Sequence, residues 1–370
     1  MIELLSGLEN QMEVHTLTLD RRVLNEKVVW GESAVITKNH WMIRRPIPSS
    51  IVLLLLPMFF IWYNIELVRI RPDMLLFSDD IIGLPRLLIH KPRTIIVYAH
   101  FPLDIKLKTM LHIGRRLRGF GISRAIFLSG KVAFRVLLGG TAKFANVIIC
   151  NSTYTKRFVD EFWGRVDSVV VPPPVDIERY PPGGKSRKAV MLGALQRFKQ
   201  QEMGIRALAL CKNPVDLIIV GFVYDNEPDY WLYLKDLAKR LGMEDRVKVI
   251  PNASYSVVKE VLATSSIIIH ASTGEAFGIA VVEAMAAGCV PVVTPVEGLW
   301  DFVLAEGKYG FAFTNENELA QRLDALFDNP ILMEECKAKA ITRAREFSRE
   351  VFAQRIRDIF GQELKRICNA

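Results

Sequence analysis

The sequence predicts an α/β protein with two tandem domains, each built on a doubly wound parallel sheet. Short apolar, β-branched runs alternate with longer stretches that we interpret as helices. A proline-rich segment interrupts this alternation near the middle of the chain, and the alternation restarts after it. With 370 residues, 50% of them hydrophobic, the chain is long enough for two domains that each bury a core.

The first half contains four predicted strands with helical stretches between them. The strands are 13–20, 73–79, 93–100 and 146–152. Most of these runs are rich in Ile, Val and Leu and end in polar residues, which is typical of buried strands in a parallel sheet.

The segment "VPPPVDIERYPPGGKSR" (171–187) is the predicted boundary between the domains, because it contains five prolines and two glycines. We assign 1–175 to an N-terminal domain, 176–187 to a linker and 188–345 to a C-terminal domain. The predicted strands of the C-terminal domain are 188–195, 215–221, 246–250, 265–272 and 289–295. The tail, 346–370, is predicted to form an amphipathic helix that begins near residue 344.

Positive charge is concentrated in the first half of the chain. Residues 1–175 carry 23 Lys and Arg against 14 Asp and Glu, although the net charge of the whole chain is +8. Within 105–145 there are nine basic residues interleaved with apolar ones, and no acidic residue. They are Lys106, Lys108, Arg115, Arg116, Arg118, Arg124, Lys131, Arg135 and Lys143. This pattern favours anionic headgroups or a lipid diphosphate as partner, and a solvated helix face is the alternative. Few aromatic residues and no recognition module argue against nucleic acid.

The stretch "SSIVLLLLPMFFIWYN" (49–64) contains thirteen consecutive apolar residues. As a helix this run spans about 20 Å, short of a hydrocarbon core of about 30 Å. The strands predicted at 13–20 and 73–79 flank it and should share one sheet, which argues against a membrane span. We expect membrane-surface elements near 49–70 and 105–145, with Trp62 and Tyr63 at the water–lipid interface.

The string "SSIIIHASTGEAFGIAVVEAMAAGCVPVVTPVEGLWDFV" (265–303) contains the candidate site. A strand leads into a loop with Gly274 and Gly278, and a helix follows that we expect to end at Gly288. The start of such a helix presents free N–H groups, which suit a phosphate. Seven residues separate Glu275 from Glu283, and carboxylates readily accept hydrogen bonds from sugar hydroxyls. The alternative is a crossover helix with a turn glycine and two solvated glutamates.

This string resembles the donor site of retaining glycosyltransferases of family 4, which have the GT-B fold. The resemblance rests on Glu275, Phe277–Gly278, Glu283, the run 284–288 and the run 291–293. It implies two tandem Rossmann-like domains whose parallel sheets face a central cleft. Three further stretches make the chain most similar to the mannosyltransferases that extend dolichol-linked oligosaccharides, and to their archaeal relatives. These stretches are "YAHFP" (98–102), "NSTYTKRFVDEFWG" (151–164) and "VVVPPPVD" (169–176).

The resemblance implies a role for each residue of the string. Glu283 corresponds to the glutamate that binds the nucleotide ribose, and Glu275 to the one that contacts the hydroxyls of the transferred sugar. The backbone at Phe277, Gly278 and Ile279 corresponds to the part that faces the diphosphate.

Two further regions carry candidate residues by resemblance. In the loop 192–204, after Gly193, Lys199 matches a lysine that neutralises the diphosphate. Members of the family usually have an arginine directly after this glycine, but here the position is occupied by Ala194. Arg197 is the candidate substitute for that arginine. The alternative is that Arg197 is a solvated loop residue. His100 ends a predicted strand, where the family places a histidine near the donor sugar; a structural histidine is the alternative.

The expected function is that of a retaining glycosyltransferase moving a hexose, mannose or glucose, from a GDP- or UDP-linked sugar to a lipid-linked acceptor. We expect it to act as a peripheral protein on the cytosolic face of a membrane. The five cysteines are scattered along the chain, which indicates a reduced compartment. The N-terminus lacks the pattern of a signal peptide. The alternatives are a glycosyltransferase with a soluble acceptor and an inactive GT-B protein that binds membranes or nucleic acid.

We expect no cofactor and no essential metal, because no Asp-x-Asp motif follows a strand and Asp79 and Asp80 are interpreted as loop residues. Members of the family begin with a strand and a glycine-rich loop. The given sequence starts in what corresponds to the helix that follows them, so we expect either that Met1 is a misassigned start or that the first strand is absent.

Overall fold

The computed structural model describes the backbone of 13–20 and 36–43, and residues 64–65, 67–78, 89–100, 144–224 and 227–369, with the side chain of Phe162 excepted. These residues divide into two compact units. The first unit comprises Met1–Asn151, Thr155–Val171 and Phe352–Ala370, and the second comprises Ser152–Tyr154 and Pro172–Val351. Each unit has parallel sheets, so the prediction of two parallel α/β units is confirmed.

The first unit contains two sheets among its described residues. In one, β1 (Glu13–Asp20) pairs in parallel with β2 (Ile36–Ile43). The other has the order β3-β4-β5-β6, and all of its pairs are parallel. Its strands are β3 (Met74–Ser78), β4 (Thr94–Ala99), β5 (Val147–Cys150) and β6 (Val169–Val170).

One sequence-based prediction for the first unit is wrong. β1 was expected to share a sheet with the strand at 73–79, but it pairs with β2, in a stretch interpreted as helical. An apolar, β-branched run indicates a strand without indicating its partner. The sequence of β2, "ITKNHWMI", carries Lys, Asn and His at its centre, so it lacks the continuous apolar run by which the other strands were recognised.

The membrane-surface predictions fall largely outside the described residues, which exclude 44–63 and 101–143. The described end of the membrane-surface element predicted near 49–70 is helical at 64–65 and 67–70. In it Leu67 is buried and Ile65 is exposed. Within the described residues, no helix has both the length and the apolar character needed to cross a membrane.

The core of the first unit forms on β4 and β5. All six residues of β4 are buried, and the Tyr98 hydroxyl donates a hydrogen bond to the Val171 carbonyl oxygen at 2.9 Å. The predicted tail helix is confirmed over Arg349–Cys368. Its Phe352, Ile356 and Phe360 recur every four residues and pack on the sheet, as expected for the apolar face of an amphipathic helix.

The second unit is built on a six-stranded parallel sheet with the order β12-β11-β10-β7-β8-β9. Its strands are β7 (Ser186–Leu192), β8 (Asp216–Gly221), β9 (Val247–Pro251), β10 (Ser265–His270), β11 (Val290–Val293) and β12 (Phe311–Ala312).

Helix α1 (Thr153–Trp163) lies between β5 and β6 in the chain. The helices that alternate with strands β7 to β11 are α2 (Gln201–Leu210), α3 (Tyr230–Arg240), α4 (Tyr255–Thr264) and α5 (Ile279–Ala286). Those that follow β12 are α6 (Glu316–Asp328), α7 (Pro330–Arg345) and α8 (Arg349–Cys368).

Both faces of the central strands of this sheet are buried. Along β10, Ile267 and Ile269 point into one hydrophobic cluster, whereas Ile268 points into a second cluster on the opposite face. Ala189 and Val190 of β7 divide between the two clusters in the same way. Alternate residues of a strand face opposite sides, so burial on both sides requires a continuous apolar run. This explains the runs from which the strands were predicted.

The end of β8 approaches the loop after β7 very closely. A Cβ atom placed on Gly221 would lie 1.6 Å from the carbonyl oxygen of Gly193. The two backbones are also joined by a hydrogen bond from the Gly193 N–H to the Val220 carbonyl oxygen at 3.1 Å. Glycine at position 221 therefore allows the loop after β7 to lie against β8.

We expect Gly221→Ala to lower the free energy of unfolding by about 3 kcal/mol, because the added methyl group forces the loop backbone away from β8. Gly184→Ala is the matched control, since a Cβ there meets no atom within 4 Å. Urea unfolding of both variants measures the difference, and equal stabilities would contradict the steric explanation.

Candidate functional site

Two loops at one edge of the second sheet form the centre of the site. β7 and β10 are neighbouring parallel strands, so the loops that follow them leave the sheet at the same edge. The Thr273 N–H donates a hydrogen bond to the Phe198 carbonyl oxygen at 3.1 Å and joins the two loops directly. Lys199 lies in one loop and Glu275 in the other.

The Lys199 ammonium and the Glu275 carboxylate form an ion pair, with Nζ 2.7 Å from Oε2. The pair is mostly buried, with side-chain exposures of 17% and 22%. Lys199 ends a short 3₁₀ turn, Arg197–Lys199, and Gln200 then takes a left-handed conformation at φ 49° before α2 begins. A non-glycine residue in that region is uncommon, and here it directs the chain from the turn into α2.

His270 is a third member of this cluster, and the sequence analysis did not assign it. It is the last residue of β10, is 5% exposed, and places Nε2 3.4 Å from Glu275 Oε2. The sequence signal that would have identified it is a histidine at the carboxyl end of a strand, five residues before Glu275. Polar residues at that end of a parallel strand commonly line a ligand site.

The ionisation of Glu275 depends on its two neighbours. Burial alone raises the pKa of this carboxyl group, but His270 and Lys199 together outweigh burial and lower the pKa from 4.5 to about 2. Burial lowers the pKa of His270, which favours its neutral form. Glu275 is therefore a permanently ionised hydrogen-bond acceptor beside a cation at neutral pH.

The loop from Glu275 to Gly278 leads into α5 and requires two glycines. Gly278 has φ +91°, a value that glycine adopts without strain, and it caps the helix that starts at Ile279. A Cβ atom on Gly298 would lie 2.3 Å from the Ala276 carbonyl oxygen, so a second loop packs against this backbone. The start of α5 thus presents backbone N–H groups next to Glu275.

The side chain of Phe277 points away from this surface. It is 2% exposed and packs on Phe302 and Phe347, with ring centroids 6.3 and 5.2 Å away. Only its backbone is available to a ligand. Ile279 is 47% exposed. After α5 ends, Gly288 has φ +82°, which confirms the predicted glycine terminus.

Glu283 lies in the second turn of α5 and is partly buried. The Tyr180 hydroxyl donates a hydrogen bond to its Oε1 at 3.1 Å. Burial raises the pKa of Glu283, whereas the Tyr180 hydrogen bond lowers it. The two glutamates of the string thus have opposite pKa shifts.

Gly193 and Arg197 occupy the loop after β7. Gly193 lies against β8 as described above, at φ +150°. The Arg197 guanidinium stacks over the rings of Tyr230 and Tyr233, 5.5 Å from each ring centroid. The backbone N–H of Arg197 donates a hydrogen bond to Glu227 Oε2 at 2.8 Å. The structure therefore brings Lys199 to Glu275 but packs Arg197 on aromatic rings of α3.

His100 belongs to the first unit. It directly follows β4, and its ring lies 4.3 Å from that of Tyr98, centroid to centroid. Its carbonyl oxygen accepts a hydrogen bond from Asn151 Nδ2 at 2.5 Å. Its position at the carboxyl end of a strand is as predicted.

Across the described part of the chain, no three His, Cys, Asp or Glu side chains lie close enough together to hold a metal ion. Asp79 and Asp80 lie outside the described residues.

The fold and the site define a class: two parallel-sheet α/β units of the GT-B type, as predicted. Anabaena HepE, solved in complex with UDP and glucose, superposes with a TM-score of 0.70 over 98% of this chain and 94% of its own, at 20% identity. Sucrose-phosphate synthase from Thermosynechococcus elongatus superposes with a TM-score of 0.67 over 87% and 81% of the two chains, at 14% identity. At such identities the likeness establishes the fold.

Sequence comparison finds a family match within the second unit. Residues 175–343 match the family described as "Glycosyl transferases group 1". This match includes Lys199, His270, Glu275 and Glu283.

Curated relatives align over part of their length. The GDP-Man:Man(3)GlcNAc(2)-PP-Dol alpha-1,2-mannosyltransferase of Dictyostelium discoideum is 27% identical over 254 residues, 60% of this chain and 49% of the relative. A trehalose synthase of Pyrococcus horikoshii is 32% identical over 135 residues, 36% of this chain and 32% of the relative. The chain spans about half the length of the first of these relatives, and a third of the second.

We expect the stabilising effect of Glu275 to depend on pH in a defined window. Because the pKa of Glu275 in the folded protein lies below its ordinary value of 4.5, the ionised side chain stabilises the fold above about pH 4.5. This contribution is lost as the pH falls towards 2. The free energy of unfolding of wild type relative to Glu275→Gln should fall by about 3 kcal/mol between pH 5 and pH 2. Denaturant unfolding at a series of pH values measures it.

Glu335→Gln, which removes an exposed carboxylate on α7, is the control for net charge. A wild-type advantage over Glu275→Gln that stays constant across this pH range would contradict the lowered pKa.

Proposed function

We propose that this protein is a retaining glycosyltransferase that moves a hexose from a nucleotide-diphosphate sugar to a lipid-linked glycan at a membrane surface. The observation that carries the proposal is the Lys199–Glu275 ion pair, 2.7 Å long, at the carboxyl ends of β7 and β10. It lies within the residues that match the glycosyl transferases group 1 family.

The site has a group for each part of such a donor. Glu283 accepts hydrogen bonds from the ribose, and the backbone N–H groups of Gly278 and Ile279 face the diphosphate at the start of α5. Lys199 neutralises the diphosphate, and Glu275 binds hydroxyls of the hexose. In a nucleotide sugar the hexose is bonded to the terminal phosphate. The adjacent side chains of Lys199 and Glu275 therefore suit the phosphate and the hexose on the two sides of that bond.

The lowered pKa of Glu275 limits what this residue does in the reaction. A carboxylate with a pKa of about 2 is a poor proton acceptor at neutral pH, so it serves as a hydrogen-bond acceptor rather than a general base. Catalysis then depends on stabilising the departing diphosphate, through Lys199 and the backbone N–H groups. The acceptor hydroxyl attacks the face from which the diphosphate leaves, and a phosphate oxygen takes its proton, which retains the anomeric configuration.

The names of the relatives support a particular donor and acceptor. Several are GDP-Man:Man(3)GlcNAc(2)-PP-Dol alpha-1,2-mannosyltransferases, from Dictyostelium discoideum, mouse and human among others, at 26–28% identity. We propose GDP-mannose as the donor and a lipid-linked diphosphate oligosaccharide as the acceptor.

The basic, apolar segment 105–145, with no acidic residue, suits a lipid diphosphate and anionic headgroups, so we place the enzyme on the cytosolic face of a membrane. His100 is proposed to approach the donor sugar.

A second candidate is transfer to a soluble acceptor. It is favoured by a D-inositol 3-phosphate glycosyltransferase from Stackebrandtia nassauensis, 28% identical over 237 residues, 58% of this chain and 53% of the relative. The basic segment suits a phosphorylated acceptor as well as a lipid diphosphate.

The donor and acceptor are tested with labelled GDP-mannose, GDP-glucose, UDP-mannose and UDP-glucose. Each is offered with D-inositol 3-phosphate or with a lipid-linked diphosphate oligosaccharide in anionic or neutral vesicles. We expect mannose transfer from GDP-mannose to the lipid-linked acceptor with retention, faster in anionic vesicles and unaffected by EDTA. Transfer to D-inositol 3-phosphate alone would support the second candidate. Absence of both transfer and donor hydrolysis would reject an enzymatic function.

We expect Lys199→Ala and Glu283→Ala each to lower the transfer rate by at least about 100-fold, the size of losing one positioned electrostatic contact. Lys339→Ala on α7, which removes an exposed ammonium, is the control and should retain the wild-type rate. The measurement is steady-state turnover with the preferred donor. Near-native turnover in both site variants would rule out the site assignment.

A further inference from the structure

The side chain of Tyr180 contacts Glu283, a proposed donor-binding carboxylate, from outside both the 265–303 string and the loop 192–204. Its hydroxyl donates to Glu283 Oε1 at 3.1 Å, across 103 residues of sequence. The tyrosine is 5% exposed, and its ring belongs to the hydrophobic cluster that includes Val281 and Val282 of α5. It therefore lies against the same helix that carries Glu283.

The backbone that carries Tyr180 is tied by hydrogen bonds and ion pairs to the chain near residue 348, within the second unit. The Val175 N–H donates to the Phe347 carbonyl oxygen at 2.9 Å, and residues 177–179 form a 3₁₀ turn that ends at Tyr180. Asp176 forms ion pairs with Arg179, in the same turn, and with Arg349 at 3.1 Å. This part of the proline-rich segment, predicted to be a linker, is thus a fixed support for the tyrosine hydroxyl.

The groups around Glu283 shift its pKa in both directions. Burial raises its pKa, and the nearby Asp176 raises it further, whereas Tyr180 and Arg179 lower it. Tyr255 of α4 lies beyond Tyr180, with ring centroids 5.8 Å apart, and Arg179 lies over the Tyr255 ring. Burial raises the pKa of Tyr180 as well, so its hydroxyl remains protonated and able to donate at physiological pH.

We propose that Tyr180 is a positioning residue that fixes the Glu283 carboxylate for binding the ribose of the nucleotide, an inference that rests on the proposed function. Its hydrogen bond occupies Oε1, so Oε2 is the oxygen to which ribose hydroxyls donate. The phenol also replaces part of the hydration that Glu283 loses on burial, which keeps the carboxylate in its ionised, accepting form.

The test compares Tyr180→Phe with wild type in the full chain, by calorimetric titration with GDP, UDP and their 2′,3′-dideoxy forms. Tyr180→Phe keeps the ring and removes only the hydroxyl. We expect affinity for GDP or UDP to fall by about tenfold, as for loss of one hydrogen bond to a charged group, with the dideoxy forms unaffected. When the pH is lowered, the affinity for GDP and UDP should begin to decline at a higher pH in Tyr180→Phe than in wild type. Tyr309→Phe is the matched control, since it removes a partly buried phenol hydroxyl elsewhere in the same unit.

The outcomes separate this inference from the proposed function. Equal weakening of ribose and dideoxy forms would show a purely structural role for Tyr180, and unchanged affinity would show no role; either result overturns the inference. If Glu283→Ala loses the preference for ribose but Tyr180→Phe retains it, only the inference fails. If wild type shows no preference for the ribose form, the ribose role of Glu283 in the proposed function fails as well. Thermal unfolding of each variant establishes that it is folded.

Discussion

The site depends on the adjacency of β7 and β10 in a parallel sheet. Parallel strands end at one edge, so the loop that carries Lys199 and the loop that carries Glu275 emerge side by side although the two residues are 76 positions apart in the sequence. The hydrogen bond from Thr273 to the Phe198 carbonyl then sets the spacing of the loops. Without that strand order, a lysine and a glutamate in distant loops would have no reason to meet.

The two glutamates differ in pKa because they have different neighbours. Glu275 has a cation and a histidine as neighbours, and its pKa is lowered to about 2. Glu283 has a neutral phenol as its hydrogen-bond partner, and its pKa is raised by burial. The residue type is the same in both positions, so the difference comes from desolvation and from the charge of the neighbours. Glu275 is therefore ionised at neutral pH, whereas burial raises the pKa of Glu283 and its contacts with Tyr180 and Arg179 lower it.

Close backbone packing around the string explains its glycines. Gly298 allows a second loop to contact the backbone at Glu275 and Ala276, and Gly221 allows the loop after β7 to lie on β8. Gly278 takes a left-handed conformation and turns the chain into α5. These contacts hold both loops without using the side chains that face the candidate ligand, which leaves Lys199 and Glu275 available for one another and for a substrate.

The sequence alone determined the α/β class, the strands of the second unit other than β12, and the tail helix, and it selected Lys199, Glu275 and Glu283 as candidate site residues. Apolar runs, glycines and the spacing of the glutamates are local signals, and they resemble those of a known family. Only the tertiary structure revealed the pairing of β1 with β2, the place of His270 beside Glu275, the packing of Arg197 on Tyr230 and Tyr233, and the bond from Tyr180 to Glu283. Strand partners and side-chain contacts depend on the order of strands in a sheet and on the packing of loops. A single sequence does not encode either of them in its local pattern.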